Sequence, residues 1–169
     1  MSLHAELLEQ AHFLARKEPK KPTQASLRRS VSASYYALFH LLVDEATKLM
    51  LAGNVRGSLR DSLARAFRHA AMKQTAVAFN RSSIPPRLAS GFDSQHIQQP
   101  LIDVATAFVQ LQEARHDADY NRALRFTRRE AIDLADLAEQ AFRDWRQVRG
   151  SLQADAFLTG LLVYRHMQG

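Results

Sequence analysis

An arginine, an aspartate and a tyrosine near position 117 carry the clearest chemical potential in this sequence. Arg115 and Asp119 are four residues apart, a spacing that allows an ion pair on a helix, and Tyr120 follows directly. One hypothesis is a polar pocket in which Arg115 binds a phosphate and the hydroxyl of Tyr120 or Tyr36 adds hydrogen bonds. The alternative is an ion pair that anchors a late helix against the helix carrying Tyr36. The spacing alone leaves both open.

Two further polar residues, His40 and Arg29, belong to the same candidate ligand-binding site. His40 ends an apolar run. It is either an imidazole at the edge of the core, hydrogen-bonded to a backbone carbonyl or to Asp119, or a group that transfers a proton. Arg29 and its neighbour Arg28 lie near the start of a predicted helix, where positive charge opposes the helix dipole. That conflict favours a nearby phosphate or acidic partner, but an exposed arginine pair also fits it.

The elements that position these residues are predicted to be helices. A central helix is expected from residue 24 to about 50, because large apolar residues recur there every three or four positions: Leu27, Val31, Tyr35, Leu38 and Leu42. Further helices are predicted at about 3–17, at 58–79, from 100 onward, after the capping box Thr127–Glu130, and at 152–167. Whether 113–120 continues the helix that starts at 100 is left open, and 80–98 is predicted to be irregular. The fold class is all-α: an up-and-down bundle of four to five main helices plus a C-terminal helix.

The composition fits one domain that works with an anionic partner. Residues 1–149 are predicted to form the bundle, and 150–169 a helical extension of the same domain. The net charge is +6, with 18 Arg and 5 Lys among the 23 basic residues, which favours RNA, a nucleotide or an acidic protein. Arginines spread over solvated helix faces would also explain the charge. No long apolar run and no signal segment is visible, so we expect a cytoplasmic protein without membrane contact.

Cofactor and metal chemistry receive little support from the sequence. The absence of cysteine excludes disulfides, thiolate metal sites and a cysteine nucleophile. The seven histidines are scattered, without a recognised ligand spacing, so we expect no metal and no cofactor.

Two segments together resemble the prokaryotic branch of the HEPN domain family. Residues 28–40 read Arg-Arg-Ser-Val-Ser-Ala-Ser-Tyr-Tyr-Ala-Leu-Phe-His, and residues 114–121 read Ala-Arg-His-Asp-Ala-Asp-Tyr-Asn. They are similar to the AYYAxFH-like and RxxADY-like motifs of that family, in the same order. The resemblance implies a bundle of four to five helices and a homodimer formed through the central helices. Many members of the family are ribonucleases, often toxins of toxin–antitoxin pairs. Many others are non-cleaving modules that bind RNA, nucleotides or a nucleotidyltransferase-type partner, so the resemblance implies one of these two functions.

The same resemblance supplies a test for catalysis. The nuclease members of the family share an arginine that is followed, after four to six intervening residues, by a histidine. Arg115 stands where that arginine belongs, but Tyr120 and Asn121 occupy the positions of the histidine. We therefore expect a binding or adaptor module for RNA, a nucleotide or a nucleotidyltransferase-type partner, without nuclease activity. The alternative is a divergent, metal-independent ribonuclease of the toxin type, in which Arg115 works with a non-local histidine, His40 or His116.

Small residues in the central helix extend the expectation of a homodimer. Ala33, Ser34 and Ala37 stand among large apolar side chains, and they would allow a close approach of another helix.

Overall fold

The computed structural model describes residues 1–53, 57–93 and 95–167, with the side chains of 165–167 excepted. Within these ranges the chain forms seven α-helices and no strand. In chain order they are α1 Leu3–Arg16, α2 Gln24–Met50, α3 Gly57–Ala64, α4 His69–Asn80, α5 Gln99–Tyr120, α6 Arg128–Val148 and α7 Leu152–Met167. The predicted all-α helical bundle is confirmed. The segment 113–120 continues α5 without a break.

One predicted helix, at 58–79, is wrong as a single element. The chain leaves the helix after Ala64 and resumes at His69, and Arg68 has an extended backbone (φ −117°, ψ 127°). Phe67 in this connection is buried, whereas Leu59 on α3 is exposed. A continuous helix would have placed both on one stripe. The turn lets Phe67 enter the core without α3, which has no buried residue.

The chain divides into two compact units, and the first contains residues 1–40 and 107–143. It comprises α1, the first part of α2, the end of α5 and most of α6. Ala11, Ala33 and Ala135 form a small buried cluster that links α1, α2 and α6. The hydroxyl of Ser30 also donates to the carbonyl of Ala11 over 2.8 Å. Small residues on α2 therefore serve close packing of helices within one chain. Ser34 and Ala37 are fully buried as well.

The second unit contains residues 41–106 and 144–169, and α4 packs against α7 in it. The hydroxyl of Thr75 donates to the carbonyl of Gly160 over 2.8 Å, and the rings of Phe79 and Phe157 lie 5.0 Å apart. Residues 144–167 thus pack as part of this unit, while 168 and 169 lie outside the described residues. The expected arrangement, a bundle at 1–149 with 150–169 as a helical extension of the same domain, stays a prediction.

None of the described helices is long and apolar enough to cross a membrane.

Candidate functional site

The candidate site lies in the first unit, where the start of α2 runs antiparallel to the end of α5. Three α2 residues spaced four apart each make a polar contact with α5. Arg28 donates to the carbonyl of Ala118 over 2.7 Å, and Ser32 donates to Oδ1 of Asp119 over 2.7 Å. The third contact is a hydrogen bond of 2.7 Å from Nη2 of Arg115 to the hydroxyl of Tyr36. Residues at intervals of four share a helix face, so this stripe of α2 fixes the last two turns of α5.

Arg115 forms the expected ion pair with Asp119. Its Nε lies 2.8 Å from Oδ2 of Asp119, and the two side chains are only 16% and 23% exposed. The Nε–H has no aligned acceptor within the described residues, so the pair is a contact of charges rather than a directed hydrogen bond. Burial by itself would lower the pKa of Arg115, but the hydrogen bond to Tyr36 and the charge of Asp119 outweigh it and raise that pKa. The guanidinium therefore stays charged in a half-buried place.

Aromatic rings surround the same guanidinium. The Cζ atom of Arg115 lies 5.9 Å from the ring centre of Tyr35, 5.4 Å from that of Tyr36 and 5.8 Å from that of Tyr120. Such distances allow cation–π attraction, which adds to the ion pair with Asp119. These contacts of Arg115 fit the anchoring role, which is one of the two alternatives that the spacing left open.

Arg28 has a role that the sequence did not indicate. Its guanidinium donates to the carbonyls of Ala118, Asn121 and Leu124, with Asp117 further away at 3.4 Å. These carbonyls belong to the last turn of α5 and to the segment just after it, where a helix leaves acceptors unsatisfied and carries partial negative charge. The positive charge of Arg28 is therefore matched by the end of α5.

An open pocket of about 470 Å³ lies over this junction. Its lining comes from the start of α2 and the end of α5: Ala25, Arg28, Arg29, Ala118, Asp119 and Tyr120. Arg29 is exposed and has no ion pair within the described part of the chain. The ring of Tyr120 is 64% exposed, although His116 supports it with a ring-centre distance of 5.1 Å. A large aromatic side chain is thus held at the edge of a charged pocket.

The structure brings together most of the residues proposed from the sequence. Arg29, Asp119 and Tyr120 line the pocket, while Arg115 and Tyr36 lie behind the Asp119 carboxylate. One contributor, Ser32, was missed, because its hydrogen bond to Asp119 joins two helices and leaves no local pattern in the sequence. Arg28 was noted only as a charge near the start of α2, without its contacts to α5.

His40 lies on the same α2 stripe but does not line the pocket. Its ring lies 6.3 Å from that of Tyr36 and 5.2 Å from that of Phe39, at the edge of the core. The expected hydrogen bond to Asp119 or to a backbone carbonyl does not occur among the described residues, because His40 is two turns, about 12 Å, beyond Ser32. Burial, with the charge of His4 as a smaller cause, lowers the pKa of His40.

Exposed cations gather beside the pocket. The segments 17–23 and 121–127 meet there, because the Gln24 side chain exchanges two hydrogen bonds, of 2.7 and 3.0 Å, with the backbone of Phe126. Together with the start of α2 these segments carry six exposed basic side chains without an ion pair in the described structure, which we call the basic end: Lys17, Lys20, Lys21, Arg29, Arg122 and Arg125. The acidic side chains Glu18 and Glu130 instead accept hydrogen bonds from Ser26 and Thr127.

One group of side chains has ligand types that suit a metal. Atoms of His12, Asp136 and Glu139 lie within 4.8 Å of one another, between α1 and α6. Arginines already occupy this cluster, however. Arg16 lies 3.2 Å from Nδ1 of His12, and Arg143 pairs with Glu139 over 3.0 Å. Arg143 offsets the charge of Glu139, while Asp136 lies 3.8 Å from Nδ1 of His12, so the cluster forms a network of charged and polar contacts.

Comparison of the chain with known proteins found no matching family model, no matching curated protein and no matching solved structure.

Proposed function

We propose that the chain is an RNA-binding module, similar in kind to the non-cleaving HEPN domains, that holds RNA at the basic end of its first unit. The observation that carries this proposal is the set of six exposed, unpaired cations next to an open pocket. Lysine and arginine side chains on exposed segments bind the phosphates of a nucleic acid and release its counterions. Arginine, which makes up most of the basic residues, also suits phosphate geometry.

Binding without cleavage fits the surroundings of Arg115. Its guanidinium is engaged by Asp119 and by the hydroxyl of Tyr36, so a scissile phosphate would have to displace protein contacts. No histidine follows at the distance used by the nuclease members, and a phenol is a poor general base at neutral pH. We therefore assign Arg115 to positioning of the α5 end, and phosphate contact to Arg29 and its exposed neighbours.

The test is incubation of the full chain with a labelled mixed RNA pool in EDTA, read for both retention and cleavage. We expect intact RNA to be retained, and less of it as the salt concentration rises. In a variant that combines Lys20→Ala, Lys21→Ala, Arg122→Ala and Arg125→Ala, the plot of log binding constant against log salt concentration should become less steep. For a single strand, its slope should change by about 0.7 for each phosphate contact that is lost. Arg143→Ala is the matched control, because Arg143 pairs with Glu139 away from the basic end.

Two results would overturn the proposal. Cleavage in EDTA that disappears in Arg115→Ala, with the fold intact, would establish the ribonuclease alternative, with His40 or His116 as the proton-transfer group. If the chain neither retains nor cleaves RNA, the result points to a protein partner instead, such as one of the nucleotidyltransferase type.

A homodimer remains part of the proposal. Ala33, Ser34 and Ala37, which suggested it, are buried within the first unit, so a second copy would have to contact other residues. A mass measurement in solution tests this, and a monomer at micromolar concentration would contradict it.

A further inference from the structure

We infer that the pocket beside Tyr120 takes an unpaired guanosine phosphate, with the base stacked on Tyr120 and its Watson–Crick edge on Asp119. The inference rests on the proposed RNA binding and names the nucleotide that this pocket prefers. A volume of about 470 Å³ lies within the range of small-molecule sites. The same chemistry is presented by free guanosine monophosphate and by an unpaired guanosine within an RNA strand.

Tyr120 provides the stacking surface. Tyr120 is 64% exposed, and its ring centre lies 5.1 Å from the ring of His116 and 5.8 Å from the Arg115 guanidinium, which support it. An exposed aromatic ring with fixed support is the usual platform for an unstacked base, and a paired base in a duplex offers no free face to it. Ala25 and Ala118 add small apolar surface to the pocket, where a flat ring meets little obstruction.

Asp119 provides the selectivity. Each of its oxygens already accepts one contact, Oδ1 from Ser32 at 2.7 Å and Oδ2 from Arg115 at 2.8 Å. A carboxylate has about four acceptor positions, so each oxygen keeps one for a ligand. Guanine presents two adjacent donors, N1–H and the N2 amino group, which match two acceptors. On the same edge of adenine, cytosine and uracil every donor stands next to an acceptor, so a carboxylate that accepts from the donor would face that acceptor unfavourably.

The charges around the pocket accommodate the phosphate. The pocket lining contains two arginines, Arg28 and Arg29, and one carboxylate, that of Asp119, which Arg115 also contacts, so the charge of the lining is positive. Arg28 is used by backbone carbonyls and Arg115 by Asp119 and Tyr36, which leaves Arg29 as the exposed guanidinium on the pocket wall. Arg29 therefore binds the phosphate, while Asp119, held in place by Ser32 and Arg115, binds the base.

The experiment measures binding of the four ribonucleoside monophosphates to the full chain, and of oligouridine strands with and without one central guanosine. We expect guanosine monophosphate to bind best and the single guanosine to strengthen strand binding. Tyr120→Leu should weaken binding of the guanosine ligands about five- to a hundredfold, whereas Tyr120→Phe should keep it. Asp119→Asn should abolish the preference for guanine. Ser32→Ala, which removes a support but keeps the carboxylate, should retain the preference.

The outcomes separate this inference from the proposed function. Equal binding of the four monophosphates, or an unchanged guanine preference in Asp119→Asn, would overturn the guanosine site. The proposed RNA-binding module would still stand in that case if the chain retained RNA in a salt-dependent way. If guanosine monophosphate binds but a central guanosine does not strengthen strand binding, the pocket takes free nucleotide, and the hypothesis that it binds guanosine within RNA is wrong. If neither the monophosphates nor the strands bind, both the guanosine site and the RNA-binding module are ruled out.

Discussion

Arg115 and Tyr36 are joined by a hydrogen bond of 2.7 Å that links the last turns of α5 to the middle of α2. The donor is a charged guanidinium in a half-buried place, and its other contact is the Asp119 carboxylate. Hydrogen bonds to charged groups stabilise more than neutral ones, and loss of one partner leaves the charge less satisfied. The pair therefore fixes the floor of the pocket as well as the helix contact.

Tyr36→Phe should lower the free energy of unfolding by about 1–2 kcal/mol, because it removes the hydroxyl acceptor and keeps the ring beside Arg115. Urea denaturation followed by circular dichroism measures this change. Tyr120→Phe is the matched control, since the Tyr120 side chain is mostly exposed, and it should change stability little. If both variants unfolded at the same urea concentration as the original chain, the Arg115–Tyr36 bond would have no structural role.

Local spacing in the sequence predicts contacts within one helix but not contacts between helices. The Arg115–Asp119 pair and the Thr127–Glu130 box depend on neighbours within one helix, so a spacing of three or four residues predicts them. The Ser32–Asp119 bond depends on which helix lies beside α2, and that is decided by packing across 87 positions of the chain. A tertiary contact of this kind has no local pattern.

The break between α3 and α4 shows a second limit. The apolar residues of 58–79 have helical periodicity, which predicts one long helix. Periodicity identifies a helix face but does not say whether a single core covers its whole length. In the structure Phe67 is buried and Leu59 is exposed, so the two ends of the predicted stripe have different surroundings. The chain turns between them.

Gly160→Ala should destabilise the chain by about 1–2 kcal/mol, because overpacking outweighs the better helix propensity of alanine. An added Cβ would lie 2.8 Å from Cγ2 of Thr75 and 3.0 Å from Cδ1 of Leu88. Thr75 cannot easily rotate away, since its hydroxyl donates to the carbonyl of Gly160. Thermal or urea unfolding measures the loss.

Two variants control this prediction. Gly57→Ala adds a Cβ at a helix position where no atom lies within 4 Å, so it should be neutral or slightly stabilising. Thr75→Ser removes the Cγ2 atom and should recover part of the stability lost in Gly160→Ala. A Gly160→Ala chain as stable as Gly57→Ala would show that α4 and α7 are not in tight contact at this point.

Thr127→Ala should lower the free energy of unfolding by about 1 kcal/mol, because it removes the cap of α6. The backbone N–H of Glu130 donates to the Thr127 hydroxyl over 3.2 Å, and the N–H of Thr127 donates to the Glu130 carboxylate over 2.7 Å. Equilibrium unfolding in urea tests the loss. Thr159→Ala is the control, since that hydroxyl bonds the carbonyl of Asp155 inside α7 and its removal should cost nothing. Equal effects of the two variants would contradict a capping role.

His40 should make the stability of the chain fall as the pH is lowered below about 6.5. Burial is the main cause that lowers the pKa of His40, with a smaller contribution from the positive charge of His4. The unfolded chain then binds a proton near the ordinary pKa of about 6.5, while the folded chain resists it to lower pH. The unfolded state holds more protons across this interval, so the free energy of unfolding decreases as the pH falls and is constant above it.

Urea unfolding at pH 7.5, 6.5, 5.5 and 5.0 measures this dependence, above the range in which the carboxylates titrate. His40→Gln should flatten the decrease, because a neutral amide takes no proton in either state. A decrease of the same size in His40→Gln would place its origin at another histidine and would mean that the half-buried ring at the edge of the core is protonated as readily as in the unfolded chain.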